Sequence, residues 1–223
     1  MKNKLLVIAL LGYSVIALWG CAKREVKNID SQGKNIICFG DSITLGCGVN
    51  PGQDYPFLLA GMVHMPVINA GIDGDTSPEA LGRLETDVLA QDPLLVIIEF
   101  GGNDFLRKIP KEVTISKIRE MVDNIQAKGA MAAIMDMSAG MFMENYRSAF
   151  RKLAQEKSAI FLPGVVSEII TNPKLKSDFI HPNEKGYKMI AQRIYRIIIP
   201  YLQQNAILRK PQEQPRKKLG SSK

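Results

Sequence analysis

Histidine, tryptophan and cysteine are scarce in this 223-residue chain, with two, one and three residues. Two histidines, His64 and His181, leave a narrow choice of imidazole base. They form no cluster with cysteine at metal-ligand spacing, so neither a metal nor an organic cofactor is implied. Three cysteines are too few for a disulfide scaffold. Cys38, in an apolar run, and Cys47, in a glycine-rich turn, are read as free thiols. The net charge of +7 is not spread over the chain. Lys2 and Lys4 carry two of those charges and the segment from Asn205 a net five, so residues 21–204 are neutral. A neutral body excludes the basic footprint of a nucleic-acid-binding domain. No internal repeat is present.

One apolar run stands apart. Lys2 and Lys4 precede Leu5–Trp19, a stretch short for an ordinary membrane span and suited to an export signal. Leu18-Trp19-Gly20-Cys21 resembles a bacterial lipobox, in which the cysteine is lipidated and becomes the mature N-terminus. Trp19 departs from the small residue usual there. Lipidated Cys21 would tether the protein to a membrane in the bacterial envelope, facing the periplasm, and Ala22 favours the outer membrane. The domain division is therefore 1–21 signal peptide, 22–34 polar linker, 35–204 folded domain and 205–223 basic disordered tail.

From Asn35 short apolar runs alternate with longer amphipathic ones. Strands are expected at Asn35–Phe39, Pro66–Asn69, Leu94–Phe100, Ala130–Met137 and Ala159–Leu162, continuously apolar as in strands covered on both faces. Helices are expected at Tyr55–His64, Ser77–Ala90, Glu112–Lys128, Asn145–Lys157 and Glu184–Leu202. Thr76 or Ser77 would cap the second, with Glu79 completing a capping box. This alternation predicts a three-layer α/β/α sandwich around a five-stranded parallel sheet. In such sheets ligands bind beyond the carboxyl ends of the strands.

Residues with chemical capacity fall at those ends. Phe39-Gly40-Asp41-Ser42 follows the first strand, where flanking glycines allow a sharp turn and Ser42 offers a hydroxyl. Asn69-Ala70-Gly71 follows the second, with a backbone N–H able to face an oxyanion. Gly101-Gly102-Asn103-Asp104 follows the third, where the Asn103 amide can donate. Asp178-Phe179-Ile180-His181 precedes the last helix and pairs a carboxylate with an imidazole. His64 ends an amphipathic helix, where a cation suits the dipole, and is the weaker candidate for a base. Met131, Met135, Met137, Met141 and Met143 surround the fourth strand and suit either core packing or a flexible acyl pocket.

In this order, Gly40-Asp41-Ser42, Gly71, Gly101-x-Asn103-Asp104 and Asp178-x-x-His181 resemble the GDSL, or SGNH, hydrolases over about Asn35 to Leu202. The resemblance implies the flavodoxin-like SGNH-hydrolase fold and hydrolysis of a small acyl ester or lipid. It also implies roles: Ser42 as nucleophile, His181 as general base and Asp178 as its orienter. Ser42 N–H, Gly71 N–H and the Asn103 side chain would form the oxyanion hole, and Asp41 would be structural. Asn69-Ala-Gly-Ile-Asp-Gly-Asp-Thr-Ser77 and Glu99-Phe-Gly-Gly-Asn-Asp104 are similar to the thioesterase and arylesterase branch, with Asp73–Ser77 as a mobile loop beside the acyl pocket. A carbohydrate or peptidoglycan O-acetylesterase is the same-fold alternative, and a non-catalytic binding lipoprotein the alternative of another class.

Overall fold

A computed structural model describes residues 25–138 and 143–209. The lipobox Cys21, the signal segment, Met141 and residues 210–223 lie outside the described residues.

Five apolar segments pair in parallel: β1 (Asn35–Gly40), β2 (Val67–Gly71), β3 (Pro93–Glu99), β4 (Met131–Met135) and β5 (Ile160–Leu162). Their order is β2-β1-β3-β4-β5. Every residue of β3 and β4 is buried, which accounts for runs without polar alternation. The long helices are α2 (Tyr55–Val63), α3 (Ser77–Asp87), α5 (Lys111–Ala127), α6 (Glu144–Glu156) and α8 (Glu184–Leu208). Helix α2 packs with α8, while α3 packs with α5, which meets α6. Right-handed crossovers place these two groups on opposite faces of the sheet, giving the expected three layers. Thr76 is the N-cap of α3. Its N–H donates to Glu79 Oε2 at 3.0 Å, the Glu79 half of the expected capping box, and its hydroxyl donates to the same oxygen at 2.7 Å.

Three short helices escape a reading based on periodicity: α1 (Ser42–Leu45), α4 (Gly102–Leu106) and α7 (Ser167–Thr171). The first two begin just past the ends of β1 and β3. Two expected boundaries also change. The stretch read as a linker packs on the domain from residue 25 onward. Val26 and Ile29 join the core, and the Asn28 side chain donates to the carbonyls of Gln126 and Ala130 at 2.8 and 3.0 Å. The last helix runs to Leu208, so the tail does not begin at Asn205. That residue is buried, and its amide donates to the Ile29 and Ser31 carbonyls at 2.8 and 2.9 Å. Apolar burial and paired backbone carbonyls outweigh the polar composition of both stretches.

Candidate active site

Strand register brings the motifs together. Gly40, the last residue of β1, lies opposite Gly71 of β2 on one side and Glu99 of β3 on the other. The chain leaves all three strands at the same level. At Gly40 a β-carbon would come within 2.1 Å of Thr44 Oγ1 and 2.4 Å of Glu99 Oε2, so only glycine lets α1 turn back over the sheet. Asp41 caps α1, its Oδ1 accepting from Ile43 N–H at 3.0 Å, and Ser42 becomes the first helical residue. Free N–H groups at a helix start leave the Ser42 amide without an intrahelical acceptor.

The loop ahead of α8 supplies the imidazole. His181 Nε2 lies 3.0 Å from Ser42 Oγ, and His181 Nδ1 lies 2.7 Å from Asp178 Oδ2. Asp178 Oδ1 accepts the backbone N–H groups of Ile180 at 2.9 Å and His181 at 2.8 Å. Those donors, with the imidazole, hold the Asp178 carboxyl down at about 2, although the residue is exposed. A carboxylate that holds Nδ1–H leaves the lone pair on Nε2, the nitrogen facing Ser42. A serine hydroxyl on such an imidazole is the arrangement that activates a nucleophile. His64 is exposed at the end of α2, ahead of β2 and therefore at the amino end of the sheet, remote from this cluster.

Asn103, in the first turn of α4, points its amide at the same place. Its Nδ2 donates to Asp41 Oδ2 at 3.1 Å and to the Asp75 carbonyl at 3.0 Å. Asp41 is 3% exposed, and burial raises its carboxyl to about 6. Beneath it lies Glu99, fully buried at the end of β3. Glu99 Oε2 accepts from Asp41 N–H at 3.1 Å and from Thr44 Oγ1 at 2.7 Å, while Oε1 has no partner among the described residues. Burial, then the neighbouring Asp41 charge, push Glu99 well above the carboxylate range. Both buried carboxyls therefore favour the protonated form more than an exposed acid does, while the Ile43 N–H bond to Asp41 Oδ1 pulls Asp41 the other way. In the sequence Glu99 is the one acid of an otherwise apolar strand and opens the Glu99–Asp104 motif, which assigns it no role. Arg83 completes the frame. It donates to Asp75 Oδ2 at 2.8 Å, to Ala70 O at 2.9 Å and to Gly40 O at 3.1 Å, with its guanidinium 4.5 Å from the Phe39 ring centroid.

Gly71 is not placed as expected. Its N–H donates to Asn69 Oδ1 at 3.0 Å, and the backbone of Leu45 passes so close that a β-carbon would sit 2.2 Å from Leu45 N. Glycine is needed there for packing. Gly74 follows it, at φ 73° in the turn closed by Asp75 N–H to the Ile72 carbonyl at 3.3 Å. The neighbouring Asp75 carbonyl is the one that Asn103 grips. Asp104 is buried away from the cleft. It accepts from Ser77 N–H at 3.0 Å, from the Ser77 hydroxyl and from Thr114 Oγ1 at 2.9 Å, and so locks α3 to α5.

A cavity of about 390 Å³ opens beside Ser42, Asn103 and His181, walled by Phe105, Leu106, Met137, Met143, Ile170 and Ile180. The methionines divide: Met137 and Met143 line it, whereas Met131 and Met135 are core residues of β4. Cys38 is buried and Cys47 half-buried, both as free thiols.

The family model described as "GDSL-like Lipase/Acylhydrolase family" matches residues 38–189. The thioesterase 1/protease 1/lysophospholipase L1 of Escherichia coli strain K12 is 29% identical over 164 residues, covering 70% of this chain and 79% of that protein. An arylesterase of Vibrio mimicus is 28% identical over 180 residues, covering 76% and 90%. Among solved structures, the psychrotrophic esterase EstA from Pseudoalteromonas sp., inhibited by monoethylphosphonate, superposes with a TM-score of 0.69 at 26% identity, over 76% of this chain and 99% of that one.

Proposed function

The chain belongs to the GDSL-like lipase/acylhydrolase family, an esterase-type hydrolase family, and from that premise we propose that it hydrolyses acyl esters or thioesters through an acyl-enzyme on Ser42. One observation carries the proposal. A hydroxyl and an imidazole 139 positions apart in sequence meet at 3.0 Å, with a carboxylate 2.7 Å from the far ring nitrogen. Ser42 gives its proton to His181 Nε2 as Oγ bonds to the acyl carbon. The imidazolium then protonates the departing alkoxide or thiolate as the acyl–heteroatom bond breaks. Water repeats the sequence on the acyl-enzyme and releases the acid. Asp178 holds the ring in the working tautomer. The Ser42 N–H and the Asn103 amide receive the oxyanion, with the Gly74 N–H taking the place expected of Gly71.

The cavity wall suits the substrate to an acyl chain longer than acetyl, since most of its side chains are apolar and two are adaptable methionines. The E. coli relative is named for thioesterase and lysophospholipase activities, which concern acyl chains of that kind. The Lys2–Cys21 pattern supports a location in the bacterial envelope, facing the periplasm and tethered through Cys21 to the outer membrane. Cells fed an alkyne-tagged fatty acid should label the wild-type chain and not Cys21→Ser, and an unlabelled wild type contradicts the tether.

A serine-directed fluorophosphonate tests the central claim. Wild-type protein should label and Ser42→Ala should not, with p-nitrophenyl butyrate turnover falling to background. Labelling or turnover that survives the substitution refutes it. Failure of the folded wild type to label favours a protein that only binds.

A further inference from the structure

Beside the nucleophile, the fold assembles a set of donors that is dispersed in the sequence. Cys47 Sγ, an Asp73 carboxylate oxygen and a His181 ring nitrogen all lie within 4.8 Å of one another. They come from the loop after α1, the turn after β2 and the loop before α8. The Cys47 backbone is well supported. Cys47 N–H donates to Ser42 O at 3.0 Å, and Tyr187 OH donates to the Cys47 carbonyl at 2.8 Å, tying that loop to α8. Cys47 is half-buried and Asp73 exposed, so an ion has a path in from solvent.

We propose that Cys47, Asp73 and His181 form an inhibitory binding site for a thiophilic divalent cation such as zinc(II). Thiolate, imidazole and carboxylate are the three ligand types zinc takes, and three protein ligands plus water complete a tetrahedral site. Metal–ligand bonds of about 2.0–2.3 Å imply ligand–ligand edges of roughly 3.5 Å, so side-chain rotations of about 1 Å close the set. The surrounding charge favours a cation. The Asp73 carboxylate lies beside Cys47 Sγ. A dication stabilises the thiolate, with the thiol proton leaving to solvent as the sulfur–metal bond forms. Because Asp178 holds Nδ1–H, the ring lone pair is on Nε2. That is the pair proposed to take the Ser42 proton, so metal and catalysis exclude one another. The inhibitory consequence rests on the proposed role of His181. The binding itself does not.

Zinc chloride titrated into the full-length protein should abolish p-nitrophenyl butyrate turnover, and EDTA should restore it. Cys47→Ser should keep its metal-free turnover and need at least ~10-fold more zinc for half-inhibition, and Asp73→Asn should show the same loss of zinc sensitivity relative to its own metal-free rate, since even outer-shell partners are worth about 10–100-fold in metal affinity. Cobalt(II) added to Ser42→Ala should give a thiolate-to-metal charge-transfer band that is lost in Ser42→Ala with Cys47→Ser. Equal zinc sensitivity in all variants, or no thiolate band in Ser42→Ala, overturns the site. Full turnover by metal-free Ser42→Ala would instead defeat the nucleophile assignment and leave the cobalt result to stand by itself.

Discussion

Replacing Asn103 by alanine should cost turnover far more than substrate binding. Removal of one oxyanion donor typically lowers kcat by ~10²–10³. The geometry places this case near the lower bound. Both Nδ2 hydrogens are already engaged, at 3.1 Å with Asp41 and 3.0 Å with the Asp75 carbonyl. To donate to an oxyanion, the amide must give up or share the carbonyl bond, and that neutral bond is worth about 1 kcal/mol net. Set against the roughly 2.7–4 kcal/mol of such a donor, about 1.7–3 kcal/mol remains, or up to ~10²-fold at about 1.4 kcal/mol per decade. The substitution also strips a donor from Asp41, which is 3% exposed. An under-satisfied buried acceptor costs about 1–3 kcal/mol. For a domain of this size that lowers Tm by roughly 2–10 °C, so the variant stays folded at 25 °C. Steady-state kinetics on p-nitrophenyl butyrate should therefore give a ~10²-fold lower kcat with little change in KM, on protein with wild-type circular dichroism. A kcat within ~10-fold of wild type, or an effect carried wholly by KM, refutes the oxyanion role, because such a pattern belongs to ground-state binding.

Asp178→Asn should lower kcat by ~10²-fold, less than the ~10⁴ of a buried triad aspartate, because this carboxylate is exposed and screened. With its carboxyl at about 2, Asp178 is charged throughout the working range, so the loss should be uniform from about pH 5 to 9. A defect confined to one end of that range contradicts the assignment. Glu99→Gln should flatten the pH dependence of stability. Glu99 and Asp41 are both raised in the folded protein, so the native state binds more protons than the unfolded one, and wild-type stability falls as pH rises from the ordinary carboxylate range through about 6 and beyond. Glutamine mimics the protonated acid, and urea midpoints of the variant should decline less over that interval. Parallel curves would show that Glu99 ionises freely. Met137→Ala and Met143→Ala should change octanoyl ester turnover at least several-fold more than acetyl turnover. A wild-type preference for acetyl esters overturns the acyl-chain reading in favour of an O-acetylesterase.

The parts of the site legible in sequence are those fixed by position along a strand. Ser42, Asn103 and His181 could be placed because parallel sheets deliver loops to one edge, and each follows an apolar run or precedes the closing helix. What stayed hidden depends on side chains meeting across the chain. Gly71 and Gly74 both follow β2, and only the Asn69 side chain, by accepting the Gly71 N–H, separates their roles. The approach of Cys47, Asp73 and His181 has no signature in spacing, since the three lie in different loops. Residues 25–34 look polar in sequence, yet Val26 and Ile29 are enough to dock the segment once Asn28 and Asn205 satisfy the nearby carbonyls. Helices α1 and α4 are too short to show a period of 3.6 residues.

The two halves of the site are held with different firmness, and the proposed chemistry gives a reason. Ser42 and Asn103 ride on β1 and β3 through buried contacts: Thr44 and Asp41 to Glu99, Asn103 to Asp41, and Arg83 to Gly40. A one-residue slip between those strands would displace Ser42 by about 3.3 Å, more than any hydrogen bond to a fixed partner tolerates. His181 instead sits in a loop whose Asp178 is exposed and whose Phe179 is 85% exposed. That loop is held by its own backbone bonds, Ser177 N–H to the His181 carbonyl at 3.0 Å and Asn183 N–H to the Leu175 carbonyl at 2.9 Å, by the Asp178 side chain and by the Lys176–Pro182 bridge. An oxyanion hole works by not reorganising, so its donors belong on the sheet. A base that serves first the serine, then the leaving group and then water must address three oxygens in turn, and small rotations of a loop-borne imidazole supply that freedom. Stiffening the loop should therefore slow deacylation more than acylation. A pre-steady-state burst of p-nitrophenol that grows in a variant with a shortened 176–182 loop would bear this out, and an unchanged burst would place the rigidity requirement on His181 as well.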